Sequence, residues 1–210
     1  MSNREQIILI GGGGHCKACI DVIEAEDRFK IAGIIDVKEK LGQKVLGYKI
    51  IASDENLPEL AKKFKYFLIT IGQTKSPLLR IEKFNLIRNL NVMLPTVTSP
   101  SAYVSNHARI GEGTVIMHKA VINADATMGK NCIINTGSII EHDCFIDDHV
   151  HISPGALLSG GVSVSTGAFI GTGAIVMQGI KIGKDVIVGA GAVVINDVEN
   201  NRTVKGVPAK

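Results

Sequence analysis

The chain has no tryptophan, and aromatic residues of all kinds make up only 4% of it, so its core has to be aliphatic. It has no run of the roughly 18 to 20 apolar residues needed to span a bilayer. No leading segment resembles a signal peptide, and a cytoplasmic location without a membrane partner is expected. Neither sign of charge dominates: 23 basic and 20 acidic residues leave a net charge of +3. Mixed along the chain, they do not form the basic footprint of a nucleic-acid binder. Four cysteines are too few and too scattered for a disulfide framework. His118, His142, His149 and His151 lack a three-ligand stack, so no metal site is expected.

What the chain has is a repeat. Every sixth residue from Val104 to Val194 is aliphatic or Met, as in Ile116, Ile122, Met128, Ile134, Ile140 and Ile146. Two residues ahead of each lies a small or β-branched residue, among them Ala120, Ala126, Cys132 and Cys144. A period of six is neither helical nor that of a plain strand; it marks the hexapeptide β-helix, in which each unit supplies a short strand and a corner. Three units make one coil, so residues i and i+18 stack at about 4.8 Å. In this register Ile140, Cys144 and Ile152 point inward, which leaves Glu141, His142, Asp143 and His151 outside around corners. Gly160 falls one coil beyond His142, close enough for its N–H to serve a developing oxyanion. An exposed His orientated by an acid suits general-base chemistry; the same spacing also fits solvated corner residues.

The first hundred residues read differently. Apolar runs at Gln6–Ile10, Ile31–Ile35, Tyr48–Ile51 and Tyr66–Ile71 alternate with helical patterns near His15–Glu24, Leu57–Phe64 and Leu78–Leu90. This alternation implies a small parallel sheet of Rossmann-like α/β type. The expected division is 1–97 for this domain, 98–196 for the β-helix and 197–210 for a C-terminal tail. After the first strand, Gly11 to Gly14 offer bare backbone and free N–H groups to an anion. Gly11 and Gly13 fit the dinucleotide fingerprint, but Cys16 stands where its third glycine belongs. Asp36 ends the second strand, where an acid meets a ribose in dinucleotide folds. A phosphate-bearing ligand, a structural turn and NAD all remain open on these residues. A Cys16–Cys19 redox pair is the minor reading beside two helix positions facing a sheet.

Several segments together resemble one family: Leu9–His15, Thr70–Gly72, Ile122–Ala124, Ile133–Thr136, Ile139–Asp143 and Gly206–Lys210. They are similar to the bacterial sugar acetyltransferases of the PglD/NeuD type, within the left-handed β-helix acyltransferases, and the likeness covers nearly the whole chain. The left hand of the β-helix comes from this resemblance. The resemblance implies that Gly11, Gly13, Gly14, His15, Asp36 and Gly72 hold a nucleotide-linked sugar, with Asn135 and His151 lining the acceptor pocket. It implies His142 as general base and Asp143 as the acid that orients it. Gly160, with His151, is implied on the acetyl-CoA and oxyanion side, between subunits of a homotrimer. The implied reaction is direct acetyl transfer to the 4-amino group of a nucleotide-linked 4-amino-4,6-dideoxy sugar for a bacterial surface glycan. One segment departs from many amino-sugar members, which read Ile-Gly-Asn where this chain has Ile71-Gly72-Gln73, followed by Thr74–Pro77. That segment looks more like the members encoded with sialic or legionaminic acid pathways, and the alternative reading is O-acetylation of a sialic-acid-type sugar. A non-catalytic structural β-helix is the third reading.

Overall fold

The computed structural model describes residues 4–74 and 76–210; Lys75, within the departing Thr74–Pro77 segment, lies outside them. The N-terminal sheet contains β1 (Glu5–Ile10), β2 (Phe29–Ile35), β3 (Lys44–Val45), β4 (Tyr48–Ala52) and β5 (Tyr66–Ile69), in the order β3-β4-β2-β1-β5. Four of these strands pair in parallel, as expected, but β3 runs antiparallel to β4. The sheet is therefore mixed and not wholly parallel. The cause is local: Leu46 at φ 46° and Gly47 at φ 88° form the two-residue turn with both central residues at positive φ that closes tight hairpins.

Three helices cover this sheet: α1 (Gly14–Glu26), α2 (Leu57–Ala61) and α3 (Leu78–Arg88). Helix α1 packs Cys16, Cys19, Ile20 and Ile23 against Ile7, Leu9 and Ile34 on one side, and joins a cluster that includes Val97, Val115 and Met117 of the β-helix. The two cysteines are buried, free and pushed to higher pKa, first by burial, which suits packing and not redox exchange. Helices α2 and α3 share the opposite face of the sheet with Ile8, Ile10, Phe67 and Ile69, through Leu57, Phe84 and Ile87.

From Val97–Thr98 to Thr203–Val204 the chain winds through two-residue parallel strands on three faces, of seven, six and five strands. As far as Val193–Val194 the pairing offset is eighteen residues, as in Ile133↔His151 and Ile139↔Leu157. The second residue of each strand points inward. From Ile116 to Val194 all of these sixth positions are buried, while Val104 and Ile110, on the first coil, are partly exposed. Cys132 and Cys144 occupy inward small-residue places. The architecture is the expected left-handed parallel β-helix behind a small α/β domain. Of the segment expected as a tail, Thr203–Val204 pairs with Ile187–Val188 and extends the seven-stranded face.

One buried side chain ties the two parts together. Arg80, on α3 and 1% exposed, donates to the carbonyls of Ile69, at 3.2 Å, and Ile71, and to Asn131 O and Oδ1 at 3.2 and 2.7 Å. The guanidinium thus holds two carbonyls at and just beyond the end of β5, the second immediately before Gly72, and a β-helix corner, without a carboxylate partner in these bonds. Burial pushes its pKa down to about 10, so it stays charged at neutral pH.

Candidate active site

The larger cavity, of about 740 Å³, opens where β1, β2, β4 and β5 end at their C-terminal sides, facing the seven-stranded wall of the β-helix. That is where ligands bind in open α/β sheets, and the volume is in the range of a small-molecule site. Gly11, Gly13, Gly14, His15, Asp36, Gly72 and Asn135 all line it, together with His151. Residues far apart in sequence are brought together by the packing of the N-terminal domain on the β-helix.

Gly11 has φ 98°, and a Cβ there would collide with the Ile71 side chain, so only glycine lets the loop pass under β5's exit. Helix α1 begins at Gly14 after an N-cap glycine that brings no side-chain cap. Cys16 N already donates to Gly13 O at 3.1 Å, which leaves the N–H groups of Gly14 and His15 for an anion. Asp36 is less available than its place implied. Its Oδ2 accepts from Gly12 N at 2.8 Å and Lys40 Nζ at 3.0 Å, and its Oδ1 from Val37 N at 2.7 Å. Burial would raise its pKa, but these hydrogen bonds outweigh it and hold the carboxyl below the ordinary range. Asp36 thus braces the glycine loop, with little acceptor capacity left over.

His151 differs from expectation. It is not an exposed corner residue: it stands on a strand, 7% exposed, under the loop that follows β5. Its outward position on the seven-stranded face is covered by the N-terminal domain. His151 Nδ1 lies 2.6 Å from Gln73 O and must carry the proton, since a carbonyl only accepts. Nε2 is then bare and accepts from Asn135 Nδ2 at 3.1 Å. Burial pushes its pKa down to about 4, with help from the Arg80 charge, and His15 is pushed down to about 3 by burial, then by Arg80 and His151. Both imidazoles are neutral at physiological pH. His151 therefore belongs to this cavity, and it is absent from the wall around Gly160.

The second cavity, about 330 Å³, is lined by His142, Gly160, Gln178 and Gly179. Asp143 sits at a left-handed corner position, φ 61°, with its N–H on Ala124 O at 3.1 Å. This places its Oδ2 2.7 Å from His142 Nδ1. A carboxylate there fixes the proton on Nδ1 and leaves the Nε2 lone pair open. The hydrogen bond to Asp143, more than its charge, raises the His142 pKa above the ordinary value. A Cβ on Gly160 would stand 2.7 and 2.8 Å from His142 Cε1 and Nε2, so a side chain there would displace the ring. Gly161 N bonds His142 O at 2.9 Å and Gly179 N bonds Gly160 O at 3.0 Å, while the Gly160 N–H has no backbone acceptor among the described residues.

Sequence reasoning missed Lys40, Asp54, Lys83 and Leu79 in the larger cavity. No motif marks them, because they come from a loop and a helix whose facing could not be read before the sheet order was known.

Residues 6–83 match the family model of the PglD N-terminal domain, and residues 107–142 match that of the bacterial transferase hexapeptide, six repeats. No curated protein matches the chain. Among solved structures, PerB from Caulobacter crescentus, in complex with CoA and GDP-perosamine, is 38% identical over 98% of this chain and 96% of that one, with a TM-score of 0.91. A histidine-to-asparagine variant of perosamine N-acetyltransferase from the same organism, with the same two ligands, is 37% identical over 98% and 95%, with a TM-score of 0.92. The acetyltransferase domain of PglB from Neisseria gonorrhoeae, in complex with acetyl coenzyme A, is 33% identical over 99% of both chains, with a TM-score of 0.91. Identity at this level over nearly the full length of both partners means that the chain belongs to the PglD/NeuD-type family of sugar acetyltransferases.

Proposed function

We propose that the chain transfers the acetyl group of acetyl-CoA to the 4-amino group of a nucleotide-linked 4-amino-4,6-dideoxy sugar, with His142 as the general base. The observation that carries this reading is the His142 arrangement: Nδ1 held by Asp143, Nε2 free, and the bare backbone of Gly160 against the ring. The amine, neutral when it attacks, forms a bond to the thioester carbon while Nε2 takes its proton. The Gly160 N–H stabilises the oxyanion. The C–S bond then breaks, and the departing thiolate recovers the proton from the imidazolium. Positioning supplies most of the rate, because the thioester is already activated. The relatives bound to CoA together with GDP-perosamine support an amino sugar carried on a nucleotide as the acceptor.

The test is a panel of UDP- and GDP-linked 4-amino-4,6-dideoxy sugars beside free and CMP-linked sialic acids, followed by CoA release and product mass. A nucleotide-linked amine is the expected acceptor. Transfer only to a sialic acid hydroxyl would replace this reading with O-acetylation.

A homotrimer follows from the same reading. His142 is 64% exposed, too open for a base that works away from water, and the two cavities share no lining residue. The six-stranded face separates them: Asn135 precedes its strand Ile139–Ile140 and His142 follows it. The outward residues of that face are Tyr103, Val121, Ile139, Leu157, Ile175 and Val193, all apolar or aromatic, whereas the five-stranded face presents Arg109, Thr127, Ser163 and Lys181 around Phe145. Three copies turning this face to a common axis would set the His142 edge of one against the Asn135 edge of the next. Light scattering should give three chain masses. Glutamate at both Ile139 and Leu157 should give a folded monomer without turnover; an active monomer would remove the intersubunit site.

A further inference from the structure

The larger cavity contains two carboxylates among its described residues, and they are engaged to different degrees. Asp36 is held by three hydrogen-bond donors. Asp54 follows β4 and, among the described residues, pairs only with Lys83 Nζ, at 3.0 Å through Oδ2, with no partner there for Oδ1. Its side chain is 45% exposed, whereas that of Lys83 is 13% exposed and also meets Glu82 at 2.8 Å. An open carboxylate on the wall of a site for a diphosphate repels the ligand, unless it meets N–H donors elsewhere on that ligand.

The sheet order says where those donors lie. The loops after β1, β2 and β4 come from adjacent strands, since the order runs β4-β2-β1. The glycine loop is therefore one strand from Asp36 and two from Asp54, or about 10 Å at the usual strand spacing. A nucleotide whose phosphates rest at Gly13–His15 thus passes its ribose by Asp36 and brings its base to Asp54. Val37 and Leu79, each about half exposed, line the cavity and offer apolar surface to a ring.

We infer that Asp54 and Lys83 form the nucleobase subsite and select guanine. This rests on the reading of a nucleotide-linked acceptor given above. Guanine presents two adjacent donors, N1–H and the 2-amino group, which match both oxygens of one carboxylate, and beside them O6, an acceptor for an ammonium. Uracil and thymine carry a single N–H between two carbonyls. Adenine and cytosine present an amino group beside a bare ring nitrogen. Only guanine uses the carboxylate twice and the lysine once.

Calorimetry on the intact protein with GDP, IDP and UDP tests this. IDP lacks only the 2-amino group of guanine. The wild type should bind GDP about 10-fold or more tightly than IDP or UDP. Asp54→Asn should weaken GDP roughly 10- to 100-fold and leave IDP within about threefold, closing the gap between them. Its thermal melting, measured alongside, should match the wild type. Equal binding of GDP and IDP by the wild type would overturn the subsite. So would an Asp54→Asn variant that shifts both ligands alike, which is a field effect on the phosphates. Binding of UDP as tightly as GDP would overturn the guanine assignment and leave the proposed function standing. Binding of none of the three would remove both.

Discussion

Replacing His142 by alanine is expected to lower kcat by about 10²- to 10⁴-fold, the range of a lost general base, with little change in acetyl-CoA affinity. The expectation rests on geometry. Asp143 at 2.7 Å fixes the ring's tautomer, and the open Nε2 lies over Gly160. Asp143→Asn should cost less than His142→Ala, because it disturbs the base without removing it. The pH profile separates the two roles. The base works only when neutral, and its pKa is raised by the hydrogen bond to Asp143 and then by that residue's charge. The wild-type kcat/KM should therefore fall as pH drops through a value above 6.5, the ordinary His figure. Without the carboxylate that limb should move to lower pH. Stopped-time assays of CoA release across pH give both numbers. Near-normal turnover by His142→Ala, or an acid limb unmoved in Asp143→Asn, would put the proton transfer elsewhere.

The β-helix was legible because its physics is one-dimensional. A residue's facing follows from its place in a six-residue unit, and its neighbour from adding eighteen, so Gly160 could be set beside His142 by counting. The N-terminal strands were legible as apolar runs, but β3 was not. The two residues Lys44 and Val45 carry no strand signal, and the hairpin depends on Leu46, a non-glycine residue at positive φ. His151 misled for a different reason: its outward position was read correctly, and what covers it was not. Outward on a coil means exposed only where nothing docks, and here the loop carrying Gln73 does. Arg80 was invisible on the same ground. A charged residue on an amphipathic helix reads as solvent-facing, and only the meeting of α3 with the Asn131 corner supplies the oxygens that make its burial tolerable. Contacts between the two parts of the chain, unlike those within the repeat, have no period to reveal them.

Replacing Ile146 by aspartate is expected to have the largest effect on stability. Ile146 is fully buried on the β-helix axis, stacked between Met128 and Val164. The change gives up about 1.5–3 kcal/mol of apolar burial and places a polar group where the inward residues offer no hydrogen bond, at about 2–7 kcal/mol. Together these approach the about 5–15 kcal/mol that holds a typical domain folded. Each coil of a solenoid rests on its neighbours, so a break at this coil removes support from both sides of the His142 corner. Melting followed by circular dichroism should show a large fall in Tm and loss of soluble protein. A carboxyl in this place ionises less readily than in the unfolded chain, so its folded-state pKa lies above the unfolded value. The penalty is then smallest below the unfolded carboxylate pKa and grows as pH rises through that range. The gap in Tm from the wild type should accordingly narrow at acid pH. Aspartate at the outward neighbour Phe145, which is half exposed, should leave Tm nearly unchanged. If Ile146→Asp melts like the wild type, the inward register is wrong, and with it the placing of His142, Asp143 and Gly160 on one corner.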